Sequence, residues 1–245
     1  MQKKPTVTIV IPVYNEEEEL EERVTTLHAF LTQHLTEFHW EIAVADNAST
    51  DKTLVIAKKL EKTFPSVKVE HLDKKGRGRA IKYTWGKSKA DYMAYMDVDL
   101  STDLKHFPPL LSALQRGYDI AIGTRNGWGS RVYGRNFLRT ITSKGYIALI
   151  KFFFFVRFTD AQCGFKAVRK EIVKDVIPFI EDNEWFFDTE LLIYAEKSGY
   201  RIYEEQVTWV DNPGSTVRVM KTAQGDLEGL KRLFFTKPWK KKSVS

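Results

Sequence analysis

In the first half of the chain, short runs rich in β-branched residues alternate with helical patterns, and the runs stop at polar residues. Val7-Thr8-Ile9-Val10-Ile11 is closed by Pro12, and Ile42-Ala43-Val44-Ala45 ends at Asp46. Val67-Lys68-Val69 follows, then Tyr92-Met93-Ala94-Tyr95-Met96 ending at Asp97, then Ile120-Ala121-Ile122. Between them the pattern predicts helices over 16–35, from Ser49-Thr50-Asp51 to about Phe64, over 76–88 and over 104–115. Asn15 is the expected N-cap of the first helix, with Glu18 three residues on as a variant capping box. The acidic run Glu16 to Glu19 suits the positive end of that helix. Strand–helix alternation of this kind implies an α/β fold, a mainly parallel sheet with helices on both faces. Ligands of such sheets bind beyond the carboxyl ends of the strands. Polar clusters stand at those ends: Tyr14-Asn15-Glu16, Asp46-Asn47, Asp97 with Asp99, and Arg125.

Composition closes several other routes. The 245 residues suit one domain with an appendage, and a single cysteine, Cys163, forms no intramolecular disulfide and no cysteine zinc cage. The five histidines include no HExxH pair. Met1-Gln2-Lys3-Lys4-Pro5 leads straight into a strand pattern, so no secretory signal is expected. The longest apolar stretch, 146–156, is interrupted by Lys151 and falls short of the roughly 20 residues a span requires. A protein resting on a membrane is still compatible with this composition.

Charge is uneven. The net charge is +6, yet residues 131–170 alone hold nine basic residues against one acid, Asp160. That segment includes Phe152-Phe153-Phe154-Phe155, and the tail 217–242 adds eight basic residues and two acids. With no repeat and no low-complexity linker, the expected organisation is one domain over 1–219 and a basic C-terminal extension over 220–245, helical and amphipathic.

The sharpest motif is Asp97-Val98-Asp99. Residues i and i+2 of an extended chain point to one side, so both carboxylates face one point at a strand end. Mg²⁺ or Mn²⁺ takes few protein carboxylates and completes its shell with water and phosphate. Gly76-Arg77-Gly78-Arg79-Ala80-Ile81 lacks the third glycine of a dinucleotide fingerprint and follows the third strand, which argues against NAD or FAD. The loop around it, Lys74 to Arg79, is either a solvated basic turn or a clamp for a diphosphate. Cys163 reads as packing. Asp188 and Glu190, beside Trp185-Phe186-Phe187, read either as a base or as exposed helix-start residues.

These residues together resemble the inverting family 2 glycosyltransferases with the GT-A fold. Val10-Ile11-Pro12-Val13-Tyr14-Asn15-Glu16, Asp46-Asn47-Ala48-Ser49-Thr50-Asp51 and Asp97-Val98-Asp99 carry the likeness. Asp99-Leu100-Ser101-Thr102, Gly123-Thr124-Arg125, Asp160 to Lys166 and Trp185 to Leu191 are similar to the dolichyl-phosphate glucose and mannose synthase branch, the β-glucosyltransferase above all. The resemblance implies that Pro12, Tyr14 and Glu16 line the base and ribose of a nucleotide sugar, with Asp46 and Asn47 beside them. Asn47 stands where many members have aspartate, which leaves the choice between uracil and guanine open. It implies that Asp97 and Asp99, with Ser101 near, hold Mg²⁺ or Mn²⁺ on the diphosphate, and that Lys75 and Arg79 lie close by. Arg125, Arg135 and Arg139 are implied to meet the phosphates of donor and acceptor, and Ser215 and Arg218 to follow in a later phosphate-contacting stretch. Asp99, Arg125, Arg139 and Asp188 are the implied catalytic set.

The expected reaction is inverting transfer of a hexose, UDP-glucose favoured and GDP-mannose possible, to a polyprenyl or dolichyl monophosphate. Such an acceptor oxygen is already anionic, so no strong base is required. The alternative is a transferase of the same fold acting on a soluble sugar or protein hydroxyl, with Asp188 or Glu190 as base. Nucleic-acid binding would use the basic half but leave Asp97 and Asp99 without a purpose. The expected location is peripheral, at the cytoplasmic face of a membrane. Phe137, Leu138, Ile141, Tyr146, Ile147 and Ile150 would form one apolar helix face, and Lys144, Lys151 and Arg157 would meet anionic headgroups.

Overall fold

The structure is a computed structural model that describes residues 3–211 and 219–240, with no side-chain description for Leu138 or 219–223. Ser215 and Arg218 lie outside the described residues. In chain order the elements are β1 (Thr6–Val13), α1 (Leu20–His34), β2 (His39–Asn47), α2 (Thr53–Thr63), β3 (Val67–Leu72), α3 (Arg77–Lys87), β4 (Tyr92–Met96), α4 (Phe107–Gln115) and β5 (Ile120–Thr124). There follow β6 (Arg131–Tyr133), α5 (Phe137–Phe154), β7 (Phe165–Arg169), α6 (Lys170–Asp175), α7 (Phe187–Lys197), β8 (Ile202–Gln206), β9 (Thr208–Val210) and α8 (Val219–Thr236).

Seven strands form one sheet in the order β3-β2-β1-β4-β7-β5-β8. All neighbours are parallel except β7, which runs antiparallel between β4 and β5. The twofold alternation of β1 shows how the sequence builds both layers. Val7, Ile9, Ile11 and Val13 face a core with Leu20, Val24, Leu27 and Leu31 of α1, Leu60 of α2 and Leu110 and Leu114 of α4. Val10 faces the opposite core, with Ile81 and Trp85 of α3, Ile150 of α5, Leu191 to Ala195 of α7 and Leu230 and Leu233 of α8. No helix among the described residues is long and apolar enough to cross a membrane.

The structure corrects the sequence reading in three places. The first helix starts at Leu20, not Glu16, and Asn15 does not cap it. Asn15 has φ 56°, and its side-chain carbonyl accepts the Thr50 N–H at 2.8 Å, so it ties two strand-end loops together instead. Second, the sequence gives no sign of β7, because Lys166 breaks its apolar pattern, yet Lys166 is fully buried and neutralised by Asp188 at 3.0 Å. Third, the single apolar face expected of α5 is split between two sides. Ile150 is buried and Tyr146 and Ile147 pack against the core, whereas Phe137 and Ile141 are exposed.

Candidate active site

The carboxyl ends of β1, β2 and β4 open on one side of the sheet, and their loops are stitched to each other. Ser49 Oγ accepts the Asn15 N–H at 3.0 Å, and Thr53 Oγ1 accepts the Glu16 N–H at 2.8 Å. Asn47 Oδ1 accepts the Gly76 N–H at 2.7 Å, which fixes the start of the basic loop before α3. From that loop Lys75 places its ammonium 3.3 Å from the Tyr14 ring centroid, and Arg79 donates back to the Lys75 carbonyl. Asp46 is fully buried, held by His71 Nδ1 at 2.6 Å through Oδ2, and its Oδ1 has no hydrogen-bond partner among the described residues. The structure therefore brings Pro12, Tyr14, Glu16, Asp46, Asn47, Lys75 and Arg79 to one edge. His71 joins them, and no motif had singled it out.

Asp97 and Asp99 follow β4 in a small hollow shared with Leu100, Ser101, Gly164 and Trp209. The Asp97 carboxylate lies on Gly164, where a Cβ would fall 1.7 Å from Oδ2, so only glycine fits beneath it. The Ser101 N–H donates to Asp99 Oδ1 at 3.0 Å. Burial, then the neighbouring Asp97 charge, raises the Asp99 carboxyl above the usual range. Glu16 is pushed up to about 7 by burial first, then by Glu19, Asp99, Asp51 and Asp97. Several acids thus crowd one point, and their mutual repulsion is what a divalent cation relieves. Among the described residues no group of three or more His, Cys, Asp or Glu side chains is arranged to hold a metal. A pair of carboxylates fits an ion that draws the rest of its shell from phosphate and water.

A group of arginines stands beside Trp209. Arg125 grips the buried Asp160 in a fork, Nε to Oδ2 at 2.7 Å and Nη2 to Oδ1 at 2.9 Å. Arg139 Nη1 donates to both oxygens of Asp211 at 2.7 and 2.9 Å. Arg135 differs: among the described residues no carboxylate lies within 4.0 Å of it, and its buried Nε–H has no acceptor. Burial, and then the Arg125 charge, lowers its pKa, with Arg139 acting in the same direction and Asp160 and Asp211 opposing it. Arg125 and Arg135 lie 5.5 and 5.9 Å from the Trp209 ring centroid, so this aromatic joins the arginines to the carboxylate hollow. Trp209 comes from the short β9, which pairs with β6 and carried no signal in the sequence.

Asp188 and Glu190 are both buried, not exposed at a helix start. Asp188 is buried, bound by Arg77 Nη1 at 2.7 Å, by Lys166 at 3.0 Å and by the Tyr95 hydroxyl. Burial would raise its carboxyl, but Lys166 and Arg77 hold it below the usual range. Glu190 is fully buried, accepts the Asp182 N–H at 2.8 Å and stands 2.8 Å from Arg232 of α8.

Comparison with known proteins agrees with this architecture. The family described as "Glycosyl transferase family 2" matches residues 8–177. The glycosyltransferase AglD of Haloferax volcanii is 33% identical over 222 residues, 89% of this chain and 35% of that protein. A dolichyl-phosphate β-glucosyltransferase of Drosophila melanogaster is 28% identical over 85% of this chain and 68% of its own length. A dolichol-phosphate mannosyltransferase of Pyrococcus furiosus is 35% identical over 69% of this chain and 48% of its own length. The chain thus spans only about a third to two thirds of the curated relatives it matches. Among solved structures, glucosyl-3-phosphoglycerate synthase from Mycobacterium tuberculosis, in complex with Mn²⁺, UDP and phosphoglyceric acid, superposes with TM-score 0.65. That likeness covers 89% of this chain and 74% of the other at 17% identity, and it shows the shared fold.

Proposed function

The chain belongs to glycosyl transferase family 2, and on that premise we propose that it moves a hexose from a nucleotide sugar to a polyprenyl monophosphate with inversion. The observation that carries the reading is Arg135, a cation beside Trp209 of the hollow whose buried Nε–H lacks an acceptor among the described residues. A phosphate monoester supplies the missing acceptor as a charge-assisted partner. The relatives named for dolichyl-phosphate transfer, a glucosyltransferase and a mannosyltransferase, support the same acceptor class.

In this reading Tyr14, Glu16, Asp46 and Asn47 receive the nucleotide, and Lys75 and Arg79 flank its diphosphate. Asp97 and Asp99, with Ser101 beside them, would hold Mg²⁺ or Mn²⁺, which as a Lewis acid stabilises charge on the departing nucleoside diphosphate. Arg135, supported by Arg125 and Arg139, orients the acceptor phosphate and offsets its repulsion from the donor. The acceptor oxygen attacks the anomeric carbon from the face opposite the leaving group. It brings no proton that must be removed, which agrees with Asp188 and Glu190 both being engaged in structural ion pairs.

The outer face of α5 is part of the same proposal. Phe137, Ile141, Phe152 and Phe155 are exposed, with Lys144 and Lys151 on the same helix. We infer that this face rests on an anionic membrane surface, where a lipid-linked acceptor is met. The decisive experiment follows label from UDP-glucose into an organic-soluble product with polyprenyl phosphate as acceptor. Wild-type protein should make it, and Arg135→Gln should make it at least about tenfold more slowly through loss of a charge-assisted contact. Label passing only to soluble hydroxyl acceptors would overturn the reading.

A further inference from the structure

Arg77 belongs, by sequence, to a basic loop, yet its side chain is only 8% exposed and is clamped between two carboxylates. Nη2 and Nε both donate to Asp97 Oδ1, at 2.7 and 3.2 Å, while Nη1 donates to Asp188 Oδ2 at 2.7 Å. The rings of Tyr95 and Trp185 lie 4.9 and 5.0 Å from its guanidinium carbon. Asp188 is itself shared with Lys166 and the Tyr95 hydroxyl. A fixed positive charge therefore occupies one oxygen of the very carboxylate that the metal reading needs.

We propose that Arg77 is a positioning residue with a second effect: it acts as a resident cation that keeps the affinity of the nucleotide-free site for a bare divalent ion low, so that the ion enters together with a nucleoside diphosphate. This rests on Asp97 and Asp99 being metal ligands. Two like charges a few ångströms apart in a partly buried setting repel more strongly than an ordinary hydrogen bond attracts. The negative charge of a diphosphate cancels that repulsion and supplies oxygen ligands of its own. Asp188 tunes the balance. It takes part of the guanidinium's charge, so removing its negative charge leaves Arg77 leaning on Asp97 alone.

Mn²⁺ binding to the full chain, read from the electron paramagnetic resonance signal of the free ion, tests this with and without saturating UDP or GDP. Wild-type protein should bind Mn²⁺ weakly alone and at least about tenfold more tightly with a nucleotide. Arg77→Gln should bind Mn²⁺ without nucleotide about tenfold more tightly than wild type, whereas Arg77→Lys, which keeps the charge, should stay weak. Asp188→Asn should bind the bare ion more weakly than wild type. These opposite signs separate the effect from a merely structural role, which would weaken binding in every variant. Unchanged or weaker binding in Arg77→Gln overturns the inference, and if that variant fails to fold by circular dichroism, Asp188→Asn binding as tightly as wild type overturns it instead. Wild-type protein that binds no Mn²⁺ even with nucleotide ends the metal assignment, and this inference with it.

Discussion

Gly164 and Asp97 form the tightest contact of the candidate site. Adding a methyl group at Gly164 must push the Asp97 carboxylate away, since the new carbon would lie 1.7 Å from Oδ2. Displacing a positioned group by about 1 Å costs on the order of 10²-fold in rate. Gly164→Ala should therefore lose about that much transfer while its circular dichroism spectrum stays that of the wild type. Glu16 offers a second residue-level prediction. Its carboxyl is raised to about 7, so the fold favours the neutral form. The stability this contributes is complete below the ordinary glutamate value of 4.5 and is lost as pH rises through about 7. Glu16→Gln should flatten the fall in Tm between about pH 4.5 and 7, and an unchanged slope would count against the assignment. The carboxylates themselves were legible from spacing, because a strand end and an i, i+2 relation are local facts. Gly164 was not legible as their seat, because it reaches Asp97 only through the pairing of β7 with β4.

At the scale of elements, helix faces decide more than helix positions. The pattern expects a helix through 137–150 and a helical extension over 220–245, but it puts Tyr146, Ile147 and Ile150 on the same face as Phe137 and Ile141. In the structure the first three turn inward, while the outward side runs Phe137, Ile141, Ala148, Phe152 and Phe155 at helical spacing and just beyond. A helix that is apolar on both sides has no periodic contrast from which a sequence can tell core from surface. Phe155 is 82% exposed and Phe152 74%. The double variant Phe152→Asp, Phe155→Asp should keep its Tm but lose flotation with anionic vesicles, and retained flotation would remove the membrane reading. Gly78 shows the opposite case, a buried face that admits nothing more. A Cβ there would meet Phe187 Cβ at 2.6 Å, so α3 and α7 touch backbone to side chain.

Across the whole molecule, buried charge joins elements far apart in the chain. Arg77 of α3, Tyr95 of β4, Lys166 of β7 and Asp188 of α7 form one network beneath the candidate site. Removing one partner of a buried pair costs about 3–5 kcal/mol, because the other charge stays behind. Lys166→Met should lower the unfolding free energy in urea by about that amount, and a loss under 1 kcal/mol would show the pair to be incidental. The basic segment 131–170 looks very different at this scale. Arg139, Arg157, Lys166, Arg169 and Lys170 each meet an acid, from elsewhere in the fold or nearby, so the charge excess does not form one continuous basic face.

Local chemistry in the chain settles the parallel half of the sheet, the carboxylates that end β4 and the family signature, because twofold alternation and short motifs are properties of neighbouring residues. The fold alone decides which charges are already spent. Arg125 finds Asp160 across 35 residues, Arg139 finds Asp211 across 72, and Arg77 finds Asp188 across 111. An ion pair forms at about 3 Å whatever the separation along the chain. Only packing could therefore show that Arg135 keeps a donor unused among the described residues and that Arg77, which the sequence leaves as either a solvated loop cation or part of a diphosphate clamp, sits locked against Asp97.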